Sequence, residues 1–405
     1  NPLKTIKFSK IFSNHLLTFY HWTPTRKTVA IKTMLTDAKD VMKVSEEGFC
    51  CCSSGCCDNE KIITPYDEKD TWIVGKIHTL KGSVPVISTD IHFKDMLGTW
   101  KVRWGINRMS YMINPGLYAL GSPDNSSPVL VSANYKLTFD SLRKELSGLD
   151  CWILILDTKG VNVWCAAGKG TFGTDELINR IRKTGLSQIV SHRRLILPQL
   201  GAVGIRAHEV TRQTGFSVLY GPVRAKDIKS FITSGFEATK EMRTVKFTAW
   251  DRLVLTPMEL VQAAKTSLFV FGILFLINLF AVRTFGLLDF IAYVGAVITG
   301  TIITPFLLPY IPGRAFAWKG WLMGLIWTSV YVLSNGLLAS DTLLLGIGYL
   351  FVLPSLSSFL AMNFTGSSTY TSFSGVMKEM KISLPFIISS SVIGVVLVLI
   401  KSFIG

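Results

Sequence analysis

Apolar positions along this chain fall into two regimes. Between Trp72 and Gly235 they come in short, β-branched runs separated by polar stretches, and from about Thr266 onward they fuse into long runs almost free of charge. In the first regime Val84–Thr89, Val129–Tyr135, Cys151–Asp157, Gln188–Val190 and Phe216–Gly221 predict strands. The polar segments between them predict helices over Thr138–Gly148, with Thr138 or Asp140 as cap, and over Thr174–Gly185, Arg206–Gly215 and Arg224–Gly235, closed by glycines. Strand and helix alternating at this spacing argue for parallel βαβ units, hence an open α/β, Rossmann-like sheet that binds ligands at the carboxyl ends of its strands.

The second regime holds five apolar runs, Ser267–Val282, Leu287–Leu308, Ala317–Leu333, Thr342–Met362 and Ile382–Ile404. A spanning helix needs about 20 apolar residues. Four runs meet that outright, and the first does so if it starts near Val261 with Lys265 reaching back to the interface. The expectation is an all-α transmembrane domain of five helices. Basic residues Arg252, Lys265, Arg314, Lys319, Lys378 and Lys381, against Arg283 and Lys401 on the other side, place the α/β part in the cytoplasm, at the inner membrane. Ionisable residues within the spans are few, Asp289 and Asp341 lying near ends, which favours an anchor over a transporter. The resulting division is a basic, Cys-containing and flexible segment over 1–75, a ligand-binding domain over 76–245, a linker over 246–265 and the membrane domain over 266–405.

Composition supports that split. Of 405 residues 49% are hydrophobic and the formal charge is +15, while the mean hydropathy is +0.38. The positive surface suits an acidic protein partner and the membrane, and no nucleic-acid motif accompanies it. The first residues, NPLKTIKFSK, are basic, but the apolar stretch after them is interrupted, unlike a secretory signal; the absence of an initiator Met suggests a fragment or a processed start.

Candidate chemistry concentrates in GVNVWCAAGKGTFGTDEL, from Gly160. Cys165 stands near a strand-to-helix junction, where unpaired amides favour a thiolate. Asn162 and Trp164 precede it, and Ala166, Ala167 and Gly168 follow with no bulk to hold off a large flat ligand. A lone cysteine is most often a small buried hydrophobe. Gly168–Gly173, GKGTFG, also fits a dinucleotide fingerprint, so an NAD(P)-type oxidoreductase domain on a membrane anchor is an alternative, although SHRRL replaces the expected acidic residue downstream. Cysteine nucleophilic catalysis would need His192 or His208. Asp90–Asp95, DIHFKD, approaches a corrinoid His motif but has Asp95 in place of the needed glycine, leaving His92 structural or on the surface.

Asn162–Lys169, NVWCAAGK, resembles the cap-helix motif of the corrinoid proteins of microbial mercury methylation, which are membrane-anchored and work with a ferredoxin-like protein. PGLYALGSP, SPVLVSANYKLTFD, SHRRLILPQLGAVGIRAHEV and TGFSVLYGPVRAKDI are similar to the corrinoid-binding domain that this family shares with the large subunit of the corrinoid iron–sulfur protein, over roughly residues 84–235. In the soluble relative a non-thiol residue is expected at Cys165. The resemblance implies a corrinoid cofactor, with cobalt held at its lower axial position by Cys165 and the ring contacted by Asn162, Val163, Trp164, Cys165, Ala166, Ala167, Gly168, Lys169, Gly170 and Thr171. A thiolate there donates strongly to the metal and favours methyl delivery to an electrophile, Hg(II), as carbanion or radical. It further implies a reductant with two 4Fe–4S clusters, and a methyltetrahydrofolate-linked methyltransferase is the expected methyl donor. A corrinoid methyl carrier with a different acceptor is the other alternative.

Cys50, Cys51, Cys52, Cys56 and Cys57 are five of the seven cysteines. Their spacing matches no iron–sulfur cluster in this chain and lacks a zinc-site histidine, which leaves Hg(II) capture by soft thiolates or an unliganded reduced segment.

Overall fold

A computed structural model describes residues 63–67, 70–282, 284–371 and 373–404. The five-cysteine cluster, most of the 1–75 segment and Arg283 lie outside the described residues.

The α/β part runs β1 (Ile73–Thr79), β2 (Gly82–Ile87), α1 (Phe93–Arg103), β3 (Gly116–Leu120), β4 (Val129–Ala133), α2 (Lys136–Glu145), β5 (Cys151–Leu156), α3 (Val163–Lys169), α4 (Thr174–Thr184), β6 (Arg194–Leu197), α5 (Ala207–Thr214), β7 (Ser217–Tyr220) and α6 (Ile228–Thr233). The strands form one seven-stranded sheet in the order β1-β2-β3-β5-β4-β6-β7. From β5 across β4 and β6 to β7 the pairing is parallel. The other half departs from the expected all-parallel sheet, because β3 runs antiparallel to β5 and β1 forms an antiparallel hairpin with β2.

Alternation along β5 shows how the sheet is covered. Trp152, Leu154 and Leu156 join a core with Val163, Ala166 and Ala167 of α3 and Leu177, Ile178 and Ile181 of α4. Cys151, Ile153 and Ile155 face the opposite core with Phe139 and Leu142 of α2 and Phe231 of α6. All six β5 residues are buried, as the continuous apolar run requires of a strand covered on both faces.

Two local expectations change. Gln188–Val190 is not a strand: Leu186–Gln188 is a 3₁₀ turn, and the amides of Ile189 and Val190 bond to the Leu186 carbonyl at 3.0 and 3.1 Å, so they cannot join a ladder. The strand comes later, at β6. Helix α2 begins at Lys136, ahead of either expected cap, and Asp140 is buried within it, accepting from Lys136 Nζ at 2.6 Å and Arg143 Nε at 2.8 Å.

The remaining helices are α7 (Ala249–Leu253), α8 (Thr256–Asn278), α9 (Leu287–Ile298), α10 (Thr304–Leu307), α11 (Phe316–Ser334), α12 (Leu343–Asn363) and α13 (Phe373–Ile404). A π-helical turn at Thr299–Ile303 joins α9 to α10. Among the described residues four helical stretches are long and apolar enough to cross a membrane: Ala249–Asn278, Leu287–Leu307, Leu343–Ser367 and Ser374–Phe403. The fifth expected span, α11, is helical but falls outside that set; Lys319 and three tryptophans, Trp318, Trp321 and Trp327, dilute its apolar content. Its glycines Gly320 and Gly324 lie directly on Pro354, Ser357, Ser358 and Ala361 of α12, the close backbone approach that small residues permit. Polar side chains inside this bundle bond to backbone carbonyls, Ser357 to Ala296, Ser358 to Ala317 and Lys319 to Leu308.

Candidate functional site

Chain direction across the parallel half of the sheet reverses at β4, since β5 lies on one side of it and β6 on the other. A crevice at the carboxyl edge follows from that reversal in an open α/β sheet. Here the crevice receives Asn134 and Tyr135 from β4, the 157–162 loop and α3 from β5, and the 3₁₀ segment Gln199–Gly204 from β6. Cys165 is therefore at the predicted ligand edge.

Three devices hold its helix. Asn162 is the N-cap, and its side-chain oxygen accepts the Cys165 amide at 2.9 Å. At the other end Gly170, with φ of 81°, closes the helix in the left-handed conformation, and the amides of Thr171 and Phe172 bond to the Ala166 carbonyl at 3.0 and 3.1 Å. The inner face then rests on Gln199–Gly204. At Gly204 a Cβ would stand 2.1 Å from the Phe172 carbonyl oxygen and 3.1 Å from Ala167 Cα, so no larger residue fits. Val163, Ala166 and Ala167 are buried against this support, while Trp164, Cys165, Gly168, Lys169 and Gly170 are exposed and Thr171 is half-buried. The two alanines thus serve the packing of the helix. At Gly168 a Cβ would meet nothing within 4 Å, which leaves the outer face open beside Cys165.

Asn134, which the sequence pattern does not single out, organises the loop from β5 to α3. It is buried, and its side-chain oxygen accepts from the Thr158 amide at 3.0 Å, the Thr158 hydroxyl at 2.8 Å and the Gly160 amide at 3.1 Å. Its amide nitrogen donates to Asp157 Oδ1 at 3.3 Å. The one available signal is a polar residue set at the carboxyl end of a wholly buried, mostly apolar strand. Replacing it strands two backbone donors. We expect Asn134→Leu to destabilise the fold by about 2–4 kcal/mol, since each orphaned buried group costs about 1–3 kcal/mol; thermal unfolding checks this.

Around the crevice the groups are mostly basic and apolar, and the acidic Asp157 is paired with Lys159. Burial pushes the Tyr135 phenol above its ordinary value, against the pull of Arg108 and Arg103, with Cys165 adding to the push, so all three side chains lie within electrostatic reach of Tyr135. Met109 and Met112 border Gly160 and are exposed. Direct links between the α/β part and the helical bundle include Arg224 to Asp251 at 3.0 Å.

Other expected chemistry separates from Cys165. Cys151, the other described cysteine, is buried, and burial followed by Asp150 pushes its thiol up to about 12. His192 bonds the Ser127 carbonyl at 2.8 Å, at the amino ends of the strands and away from the cysteine. His208 is exposed on α5, and His92 is exposed at the start of α1. Gly168 belongs to the last turn of α3, and GKGTFG links two helices. A dinucleotide fingerprint instead leaves a strand and opens a helix, so the geometry does not fit it. No cluster of three metal-ligating side chains occurs among the described residues.

Residues 95–232 match the family model for the CO dehydrogenase/acetyl-CoA synthase delta subunit. The acetyl-CoA decarbonylase/synthase complex subunit gamma of Methanopyrus kandleri is 33% identical over 122 residues, 30% of this chain and 26% of that protein. Its counterpart from Archaeoglobus fulgidus is 29% identical over 171 residues, 40% of this chain and 36% of that protein. The chain thus spans about a quarter to a third of the length of the curated relatives it matches. The family match runs from α1 to α6 and includes Cys165, and α7 to α13 lie beyond it.

Proposed function

We propose that this chain binds a corrinoid at the carboxyl edge of its sheet, where Cys165 would hold the cobalt, and transfers methyl to inorganic Hg(II). The observation that carries the reading is an exposed thiol on a short helix braced over the point where the sheet reverses. The chain's own residues fit such a group. Gly168 leaves the surface beside the sulfur open, Met109, Met112 and Trp164 offer apolar area, and Asn162, Cys165, Lys169, Gly170 and Thr171 stand exposed or half-buried around it, whereas Val163, Ala166 and Ala167 are buried in the packing beneath. When bound, the corrinoid supplies a metal that accepts and releases a methyl group. Asn162 and Gly204 act on the helix, and through it fix the height and direction from which the Cys165 sulfur approaches.

In this reading 76–245 is the corrinoid domain, 246–265 the linker, which is helical from Ala249 and runs on into the first candidate span, and 266–405 a membrane anchor that holds the domain at the cytoplasmic face. The reductant is a separate ferredoxin-like protein with two 4Fe–4S clusters, and a methyltetrahydrofolate-linked methyltransferase supplies methyl. Capture of Hg(II) by Cys50, Cys51, Cys52, Cys56 and Cys57 belongs to the same proposal. The similarity to acetyl-CoA decarbonylase/synthase gamma subunits favours a second reading, a methyl carrier with another acceptor.

Purified full-length chain, given cobalamin and then a methyl donor, reductant and Hg(II), separates these readings. Corrinoid retention with methylmercury formed is the expected result. Retention without methylmercury moves the choice to the second reading, and no retention by folded protein overturns both.

A further inference from the structure

We infer that α1 is an interfacial helix, seated on the headgroup layer of an anionic lipid surface beside the spanning bundle; the inference rests on the membrane placement proposed above. Polarity on this helix is inverted. Its charged Asp95 points into the protein, where Lys136 Nζ and Arg143 Nη2 each bond it at 2.8 Å. Phe93, Met96, Leu97, Trp100 and Trp104 point out, with Phe93 74% and Trp100 66% exposed. Positions 93, 96, 97, 100 and 104 recur at helical spacing and form one stripe. A soluble surface helix would show the reverse pattern.

Three observations select lipid as the occupant. The chain leaving α1 meets the bundle: a Cβ at Gly105 would stand 3.2 Å from Sδ of Met258, in the first turn of α8, so this end of the stripe lies beside the amino-terminal half of the candidate span Ala249–Asn278. Exposed aromatic residues mark the same end of the bundle, Trp250 on α7, Tyr310 after α10 and Trp318 at the start of α11. Trp104 and Trp100 continue that belt onto the α/β part, as aromatic residues do where apolar meets wet. Charge agrees as well: the exposed Lys94 and Lys101 flank the stripe, with no exposed acidic residue on α1, the composition of helices that lie on anionic bilayers. The Asp95 ion pairs then have a clear effect, since they fix the rotation of α1 and so decide which face meets the lipid.

Photo-crosslinking of the full chain in phosphatidylcholine–phosphatidylglycerol vesicles tests this. The photoreactive residue p-benzoylphenylalanine replaces Trp100 in one sample, Phe269 on α8 in a second and Lys144 on α2 in a third. We expect lipid adducts from positions 100 and 269 in comparable yield and none from 144, with the yield at 100 falling when phosphatidylglycerol is left out. Lipid adducts at 269 but none at 100 overturn the interfacial placement alone, as does a cross-link from 100 to protein, whether within this chain or to a second copy. No lipid adduct at either position overturns the spanning reading beneath it.

Discussion

Cys165→Ala is expected to abolish sulfur ligation of cobalt, and with it methyl transfer to Hg(II), while the fold survives. The side chain is exposed, and the bond that fixes this position, from its backbone amide to Asn162, is independent of the thiol. Alanine is also the better helix former, so the stability change should stay within about 0.5 kcal/mol, as for surface positions generally. Serine at this position should fail similarly, because its hydroxyl stays protonated and is a poor donor to a soft metal. Cys151→Ala provides the contrast. That thiol is buried on β5, so its loss should cost about 1 kcal/mol in packing and leave the corrinoid spectrum unchanged. Visible absorption of the corrinoid-loaded full chain, read with methylmercury formation, checks these variants. Wild-type bands and activity in Cys165→Ala would falsify the assignment.

Asp95→Ala should destabilise the α/β part strongly. Asp95, Asp140, Lys136 and Arg143 form a closed buried network, with the Arg143 side chain 0% exposed and its Nη1 donating to the carbonyls of Ser88 and Asp90 at 2.7 and 2.6 Å. Breaking a buried pair from one side costs about 3–5 kcal/mol because a charge is left behind. Asp140 still serves both cations, so about 3 kcal/mol is the expected loss, seen as a lower unfolding midpoint in detergent. The pH dependence has a definite sign. Burial pushes the Asp95 carboxyl up, but the hydrogen bond and charge of Lys136, with Arg143, more than offset it and hold the group below its ordinary value of 3.8. Its contribution is then fully present above that ordinary value and is lost as pH falls through the lower folded one. Wild type should therefore show a stability loss in strong acid that Asp95→Ala lacks.

Local pattern was sufficient for whatever depends on neighbours in sequence. Helices α4 and α5 match their expected spans because apolar spacing, acidic first turns and terminal glycines all act within a few residues. The long apolar runs became helices for the same kind of reason. Cys165 was legible because its small and glycine-rich surroundings stand out, and Asn162 because capping is local.

Tertiary structure decided what depends on distant partners. Nothing local says whether β3 runs with or against β5; that is set by which edge the chain reaches after Gly121. Strand β6 is four residues long, and the run before it looked equally suitable until the Leu186 carbonyl took its amides. Asn134 and Asp95 read as ordinary polar residues, yet each is buried and bonded to residues more than 20 positions away. Which side of α1 faces outward followed from those long-range bonds, because a charge that finds buried partners can turn the apolar side of a helix to the surface.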